Sequence, residues 1–450
     1  MNSGFIVATI AYTVFSLGLA AIELRRIRSG GPDAITVFVA IFMLQCCLPG
    51  ISMYAALSAS DASDLTGNPV FDGIFTHTDF TISMLVLAMT VWFIAFFYIG
   101  ATCGRQALTR VFPSQGQAFR IEGITARLIA VIFGGLALTL LSFYLLGDDI
   151  ADRFTNLVRL RAYDDSVERT DLASYAYVLT QSWAWVSIPA LFVLSERPRR
   201  GFAWYAVLVC AILFAILSAS RRAIFVPVML SYFTFLLYDG KWRVRLLLGL
   251  AVPIIILVLY GKETFATFAF GGAAEAIAGR YESTAGAVLR ASSEQGITIV
   301  ESLGTLAFLD DQLRLGVDHV LSIAQRFPHR LFGLDIDYPE RMVRISTEAF
   351  SGPEAQDIPP GLMGQMWLDF RVFGPIVWGM LLGVQVGVAQ WWFERIRRTK
   401  QASALFALIV FLIALPVNTG TYDFTFSVDV IAAVLALWLS FRVQRAVRTS

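Results

Sequence analysis

Phe80-Thr-Ile-Ser-Met-Leu-Val-Leu-Ala-Met-Thr-Val-Trp-Phe-Ile-Ala-Phe-Phe-Tyr98 is a run of 19 residues without a charge. A helix needs about 20 consecutive apolar residues to cross the hydrocarbon of a bilayer. In lipid the backbone polar groups must be satisfied internally, which a helix does by itself. The stretch therefore predicts a transmembrane helix. Similar runs precede it at about Phe5–Leu24 and Ala34–Leu57, the second with a kink expected at Pro49-Gly50. Others follow at about Ile124–Leu146, Ala173–Leu194, Phe202–Leu217, Ile224–Tyr238, Val244–Tyr260, Trp367–Val388, Ala402–Pro416 and Phe426–Phe441. The expectation is an all-α polytopic membrane protein with about 11 transmembrane helices.

Composition agrees. Charged residues make up 15% of the 450 residues, against about 25% in soluble domains, and mean hydropathy is +0.66. A net charge of +1 gives no pull toward nucleic acid. Cys46, Cys47, Cys103 and Cys210 lie in or beside apolar runs with no ligand spacing, so neither a disulfide framework nor a metal site is expected. The first run has no basic segment before it; Arg25, Arg26 and Arg28 come after, which fits a retained span better than a cleaved leader. Few ionisable residues fall inside the runs and no internal repeat is visible. Both count against a transporter of a lipid-linked unit, the contrasting class.

One polar stretch breaks the pattern. Gly261–Gly364 is rich in charge and aromatics and carries apolar residues at helical spacing. It divides the chain into a membrane domain at 1–260 with eight spans, a loop domain at 261–364, and a membrane domain at 365–450 with three. Lys and Arg in short connections mark the cytoplasmic side. With the N-terminus outside, Arg105–Arg120, Arg197–Arg200, Lys241–Arg245, Arg395–Lys400 and Arg442–Arg448 all fall inside, and the long loop falls outside. The expected orientation is N-terminus outside and C-terminus inside. Within the loop, Gly316–Phe327 is expected to form an amphipathic helix with Val317, Val320, Leu321 and Ala324 along one face, stopped by Pro328.

Arg221-Arg222 is the exception to the charge rule, a basic pair in a tight hairpin on the outer face. Arginine at that depth either snorkels to headgroups or grips a lipid-linked phosphate, whose oxygens fit its fork of donors. Ser218 and Ser220 add hydroxyls beside it.

The stretch Ile358-Pro-Pro-Gly-Leu-Met-Gly-Gln-Met-Trp-Leu-Asp-Phe-Arg-Val-Phe-Gly374 resembles the end of the large periplasmic loop of bacterial O-antigen polymerases, the Wzy-type oligosaccharide repeat-unit polymerases. Ser220-Arg221-Arg222 is similar to a serine-arginine element of that family, and the topology, with one long outer loop in the C-terminal half, is similar too. The resemblance implies a GT-C-like fold and a glycosyltransferase with no cofactor. It implies transfer of a glycan from one undecaprenyl-pyrophosphate carrier to the next carrier-linked repeat unit, building O-antigen, capsule or exopolysaccharide, and it brings in a chain-length regulator as a partner. The related O-antigen ligases, which pass glycan to lipid A core, commonly carry a histidine where this chain has Pro359-Pro360.

That chemistry needs positive charge at the departing pyrophosphate, a base at the acceptor hydroxyl and groups that hold sugars. For the first, Arg221 and Arg222 lead, followed by Arg280, Arg290 and Arg341. For the second, Glu282, Glu301, Asp337, Glu348 and His329 are available. Glu301 lies in an apolar run where desolvation raises a carboxyl pKa. Tyr281 and Tyr338, with Tyr163, Trp183 and Trp185, are the sugar-stacking candidates.

Overall fold

A computed structural model describes residues 3–59, 69–112, 119–161, 171–196, 201–218, 221–241, 249, 297–324, 342–351, 359–420 and 428–445. The helices of the first half are α1 (Ser3–Gly30), α2 (Ala34–Phe42), α3 (Leu48–Ala59), α4 (Pro69–His77), α5 (Phe80–Val111), α6 (Thr125–Tyr144), α7 (Ile150–Arg161), α8 (Asp171–Ser195), α9 (Phe202–Leu217) and α10 (Arg221–Asp239). Then come α11 (Ile297–Phe308), α12 (Val317–Ala324), α13 (Met342–Ser351), α14 (Leu362–Phe370), α15 (Gly374–Arg395), α16 (Lys400–Ile413), α17 (Leu415–Thr419) and α18 (Val428–Ser440). Two strands, β1 (Phe119–Gly123) and β2 (Phe441–Arg445), complete the described elements.

Among the described residues six helices are long and apolar enough to cross a membrane: Gly4–Gly30, Ala34–Ser58, Phe80–Val111, Thr125–Tyr144, Leu362–Arg395 and Lys400–Val417. The chain is a multi-pass helical membrane protein. The expected eleven spans also counted four shorter apolar helices, Ser182–Ser195, Phe202–Leu217, Ile224–Asp239 and Val430–Ser440. The remaining run, 244–260, is outside the described residues except for residue 249.

The chain forms two compact units, each assembled from separated stretches. Met1–Phe112, Gly279–Gln390 and Val410–Ser427 make the first; Pro113–Ala278, Trp391–Ile409 and Val428–Ser450 make the second. The boundary expected at residue 364 falls inside α14, and the described parts of the long loop belong to the first unit.

In the first unit, α5 and α15 cross at backbone contact. A Cβ built on Gly379 would sit 2.5 Å from the Phe93 carbonyl oxygen, and one on Gly383 would strike that of Phe97. On the facing helix a Cβ on Gly100 would lie 2.5 Å from the Met380 oxygen. Small residues four apart on both helices permit this approach, the usual solution where lipid supplies no hydrophobic drive between helices. Phe38 stacks on Phe97, ring centroids 4.2 Å apart. At the far end of α1, Arg26 grips Asp33 (2.6 Å) and Glu23 (2.8 Å), and the Tyr98 hydroxyl donates to Glu23. Asp33 also caps α2, accepting from the Thr36 amide at 3.0 Å.

The second span bends before the expected Pro49-Gly50. A π-turn occupies Met43–Cys47, and the Leu48 amide donates to the Met43 carbonyl. Proline has no N–H to give the carbonyl four residues back, so the ladder is re-registered upstream of Pro49 by one wide turn.

In the second unit, β1 and β2 pair antiparallel from Phe119↔Arg445 to Gly123↔Phe441. This ladder departs from the all-α expectation. Its signal was period-two alternation in Phe119-Arg-Ile-Glu122 and Phe441-Arg-Val-Gln444, too short to stand out. Arg397 N–H donates to the Phe119 carbonyl (2.9 Å), Gly123 N–H to Gln401 Oε1 (3.0 Å), and Gln401 N–H to Glu196 Oε1 (3.2 Å). Four of the basic connections thus meet at one end of this unit.

Candidate functional site

The family-like stretch is positioned by α11. Thr298, Ser302 and Thr305 recur at helical spacing on one face. Thr298 Oγ1 accepts from the Leu362 amide (2.8 Å), Ser302 Oγ accepts from the Met363 amide (3.1 Å), and Thr305 Oγ1 donates to the Pro360 carbonyl (2.8 Å). The Thr298 and Ser302 hydroxyls satisfy amides at the start of α14 that have no partner within their own helix. Gly361 turns the chain into α14 at φ +70°, where a Cβ would strike the Thr298 carbonyl; only glycine tolerates both.

One turn apart on α14, Gln365 and Asp369 face inward. Asp369 is fully buried and its carboxylate accepts four donors. Oδ1 receives the Gly316 amide (3.1 Å) and Gln365 Nε2 (2.9 Å); Oδ2 receives His319 Nε2 (2.8 Å) and Trp378 Nε1 (3.0 Å). All four donors lie within hydrogen-bond reach of one buried carboxylate, so its burial is compensated by hydrogen bonds. The network sets the histidine tautomer: with Nε2–H donating to Asp369, the neutral ring carries its lone pair on Nδ1. Trp378 meets the imidazole edge-on at 4.5 Å between centroids and fixes its plane.

A second buried acid lies alongside. Asp318 pairs with Arg314 through two bonds (3.0 and 2.9 Å) and accepts the Met342 amide at 2.9 Å. Gln365 Nε2 also reaches Asp318, at 3.4 Å. The two carboxylates are therefore linked by one amide, and Asp318 has Arg314 beside it. Two non-glycine residues have positive φ among the described residues, Leu315 (+50°) and Arg371 (+53°). Both flank this cluster, one just before Gly316, the other two residues after Asp369. Such strain costs about 1–3 kcal/mol and concentrates at functional sites. Next to it, Trp367 Nε1 donates to Asp310 at 2.6 Å and Arg371 lies over the Trp367 ring at 5.3 Å.

Glu301, expected as a base, is buried in α11. Its Oε2 has no hydrogen-bond partner among the described residues, and burial pushes its carboxyl above the ordinary range. Arg221 and Arg222 begin α10 in the second unit, with their side chains outside the description. Ser220, Arg280, Tyr281, Arg290, His329, Tyr338 and Arg341 are outside the described residues. Among the described residues no group of three or more His, Cys, Asp or Glu is placed to hold a metal.

Comparison with protein-family models, curated proteins and solved structures gives no match.

His319 and Asp369 were not among the expected site residues. His319 was visible as one of two histidines in the long loop, in Gly316-Val-Asp-His319. Asp369 stood in the quoted stretch as an acid amid Met366-Trp-Leu-Asp-Phe370. An ionisable residue inside an apolar segment is itself a site signal. Their pairing spans 50 positions and has no local signature.

Proposed function

We propose that this protein is a glycosyltransferase of the outer face of the bacterial inner membrane that polymerises undecaprenyl-pyrophosphate-linked repeat units, with a GT-C-like fold. The observation that carries the reading is the imidazole of His319 held by the buried carboxylate of Asp369, within a stretch that resembles the polymerases. His319 Nδ1, buried in this structure, takes the proton of the acceptor hydroxyl when substrate is admitted to it. The freed oxygen pair forms the new bond to the donor anomeric carbon as the bond from that carbon to phosphate oxygen breaks. The pyrophosphate leaves with that electron pair on the carrier lipid. Asp369 holds the ring in position and stabilises the imidazolium as it forms. The departing charge is met by arginine, for which Arg280, Arg290 and Arg341 of the long loop are the candidates; Arg221 and Arg222 are separate outer-face candidates for holding a lipid-linked phosphate. Tyr281 and Tyr338 hold sugar faces.

A second reading is transfer of finished glycan to lipid A core by an O-antigen ligase. What favours it is a positioned histidine in the long loop, since that class uses a loop histidine. The test is the polysaccharide ladder of a deletion strain complemented with wild type, His319→Ala, Asp369→Asn or Arg221→Ala, with protein abundance checked in membranes. A polymerase gives single repeat units in the deletion strain and in the His319 and Asp369 variants. A ligase gives long glycan retained on the carrier. Normal ladders from both dyad variants would remove the mechanism.

A further inference from the structure

The segment from Leu313 to Val320 is built inside out. Its charged residues turn inward: Asp318 is buried, Arg314 is mostly covered beside it, and His319 reaches the buried Asp369. Its apolar residues turn outward, with Leu313, Leu315, Val317 and Val320 all exposed, Leu315 by 63% and Val320 by 67%. A segment that faced water would be expected to show the reverse. Leu315 sharpens the contrast. Its backbone is held at φ +50°, a conformation that costs energy for any residue with a side chain, and the side chain so presented is an exposed leucine.

What covers this face follows from its neighbours. The segment is tied to the end of α14 by the Arg314 amide to the Leu368 carbonyl (2.8 Å) and the Gly316 amide to Asp369. Three residues beyond, the long apolar helix α15 begins. Phe373, Val377, Leu381 and Val384 are all exposed and recur at spacings of four, four and three, a single stripe along a membrane-crossing helix. Phe373, with Val372 beside it, is the end of that stripe nearest the inside-out segment. Exposed apolar side chains of this density on a span face lipid, and those of 313–320 adjoin it.

We infer that residues 313–320, with Val372 and Phe373, are immersed in the bilayer leaflet and form a lipid-facing rim beside the His319–Asp369 pair. The partner is the hydrocarbon of the membrane itself. The buried carboxylates and arginine are then shielded from lipid by the very side chains that enter it. This inference is independent of the reaction the pair performs.

The test is depth measurement by nitroxide labelling of the full-length protein in phosphatidylcholine–phosphatidylglycerol nanodiscs. Cys103, exposed among the native cysteines, is first replaced by serine. Single cysteines are then placed at Leu315, Val320 and Phe373, at Leu381 as the lipid-facing reference, and at the exposed polar Asp311 as the aqueous reference. Collision with oxygen, which concentrates in lipid, and with a nickel chelate, which stays in water, is read for each. Oxygen should dominate at 315, 320 and 373 as at 381, with the order reversed at 311. Nickel access at 315 and 320 equal to that at 311 would overturn the inference. So would shielding from both reagents, the mark of a protein partner or a second copy. Val320 is on a helix with ordinary backbone, so it decides the matter even if the strained Leu315 position rejects a label.

Discussion

Replacing Asp369 with alanine removes the acceptor on which four donors converge. The Gly316 amide and Trp378 Nε1 lose the bonds of 3.1 and 3.0 Å, while Gln365 keeps its longer bond to Asp318 and the imidazole can change protonation. A buried donor that loses its acceptor costs about 1–3 kcal/mol, so these two alone give about 2–6 kcal/mol, in line with about 3–5 kcal/mol for breaking a buried charged pair. At roughly 2–4 °C per kcal/mol for a unit of this size, the melting temperature of the purified protein in detergent should fall by roughly 4–24 °C. His319→Ala alone should cost less, because it removes one donor and leaves the carboxylate with three. The double variant should be more stable than the sum of the single losses predicts, with a coupling of about 0.5–3 kcal/mol. A melting temperature unchanged in Asp369→Ala, or strictly additive losses, would refute the network as described.

Other perturbations separate the remaining features. Glu301 is protonated more readily in the folded protein than in the unfolded chain. The unfolded carboxyl loses its proton near pH 4.3, so above that pH the unfolded state binds fewer protons and stability falls as pH climbs toward the raised native value. Glu301→Gln should therefore gain melting temperature over wild type between pH 5 and pH 8; a constant difference across that range would contradict the assignment. Gly383→Leu drives a side chain into the Phe97 carbonyl and should cost at least about 1–3 kcal/mol, read as a lower melting temperature; a wild-type melt would mean α5 and α15 do not touch there. Trp367→Phe removes only the bond to exposed Asp310 and should change the melting temperature by the equivalent of about 0.5–1.5 kcal/mol; a loss as large as that of Asp369→Ala would show that this bond is part of the buried network.

Much of the membrane architecture was legible because it is periodic and local. The runs at Phe5, Phe80, Ile124 and Phe202 became helices beginning within a few residues of the expected points, since each span is decided by its own residues. The loop helix at Gly316–Phe327 is present as Val317–Ala324, but its two faces are assigned differently from the periodic reading. Val317 and Val320 are exposed where Leu321 is buried. Periodicity locates an apolar stripe without saying whether protein or lipid meets it. The dyad was hidden for another reason. His319 and Asp369 are joined by tertiary packing across 50 residues; His319 alone resembles an ordinary loop residue, and Asp369 alone is an isolated acid at the start of an apolar run. Glu301 was correctly expected to be desolvated, because Ile297–Leu303 is apolar around it. The expectation at Pro49-Gly50 was a kink; the irregular turn the structure shows is the π-turn at Met43–Cys47, ahead of the proline.

The β1–β2 ladder has a consequence for biosynthesis. Phe119 and its partner Arg445 are more than 300 residues apart. At about 5–20 residues per second, β1 waits roughly 15–65 s at the ribosome before β2 exists. The second unit therefore closes only after α18 has been made, and a chain released even a few residues before Phe441 would leave the Gly123 edge unpaired. Protease sensitivity should therefore distinguish chains that carry Phe441–Arg445 from chains that stop short of it.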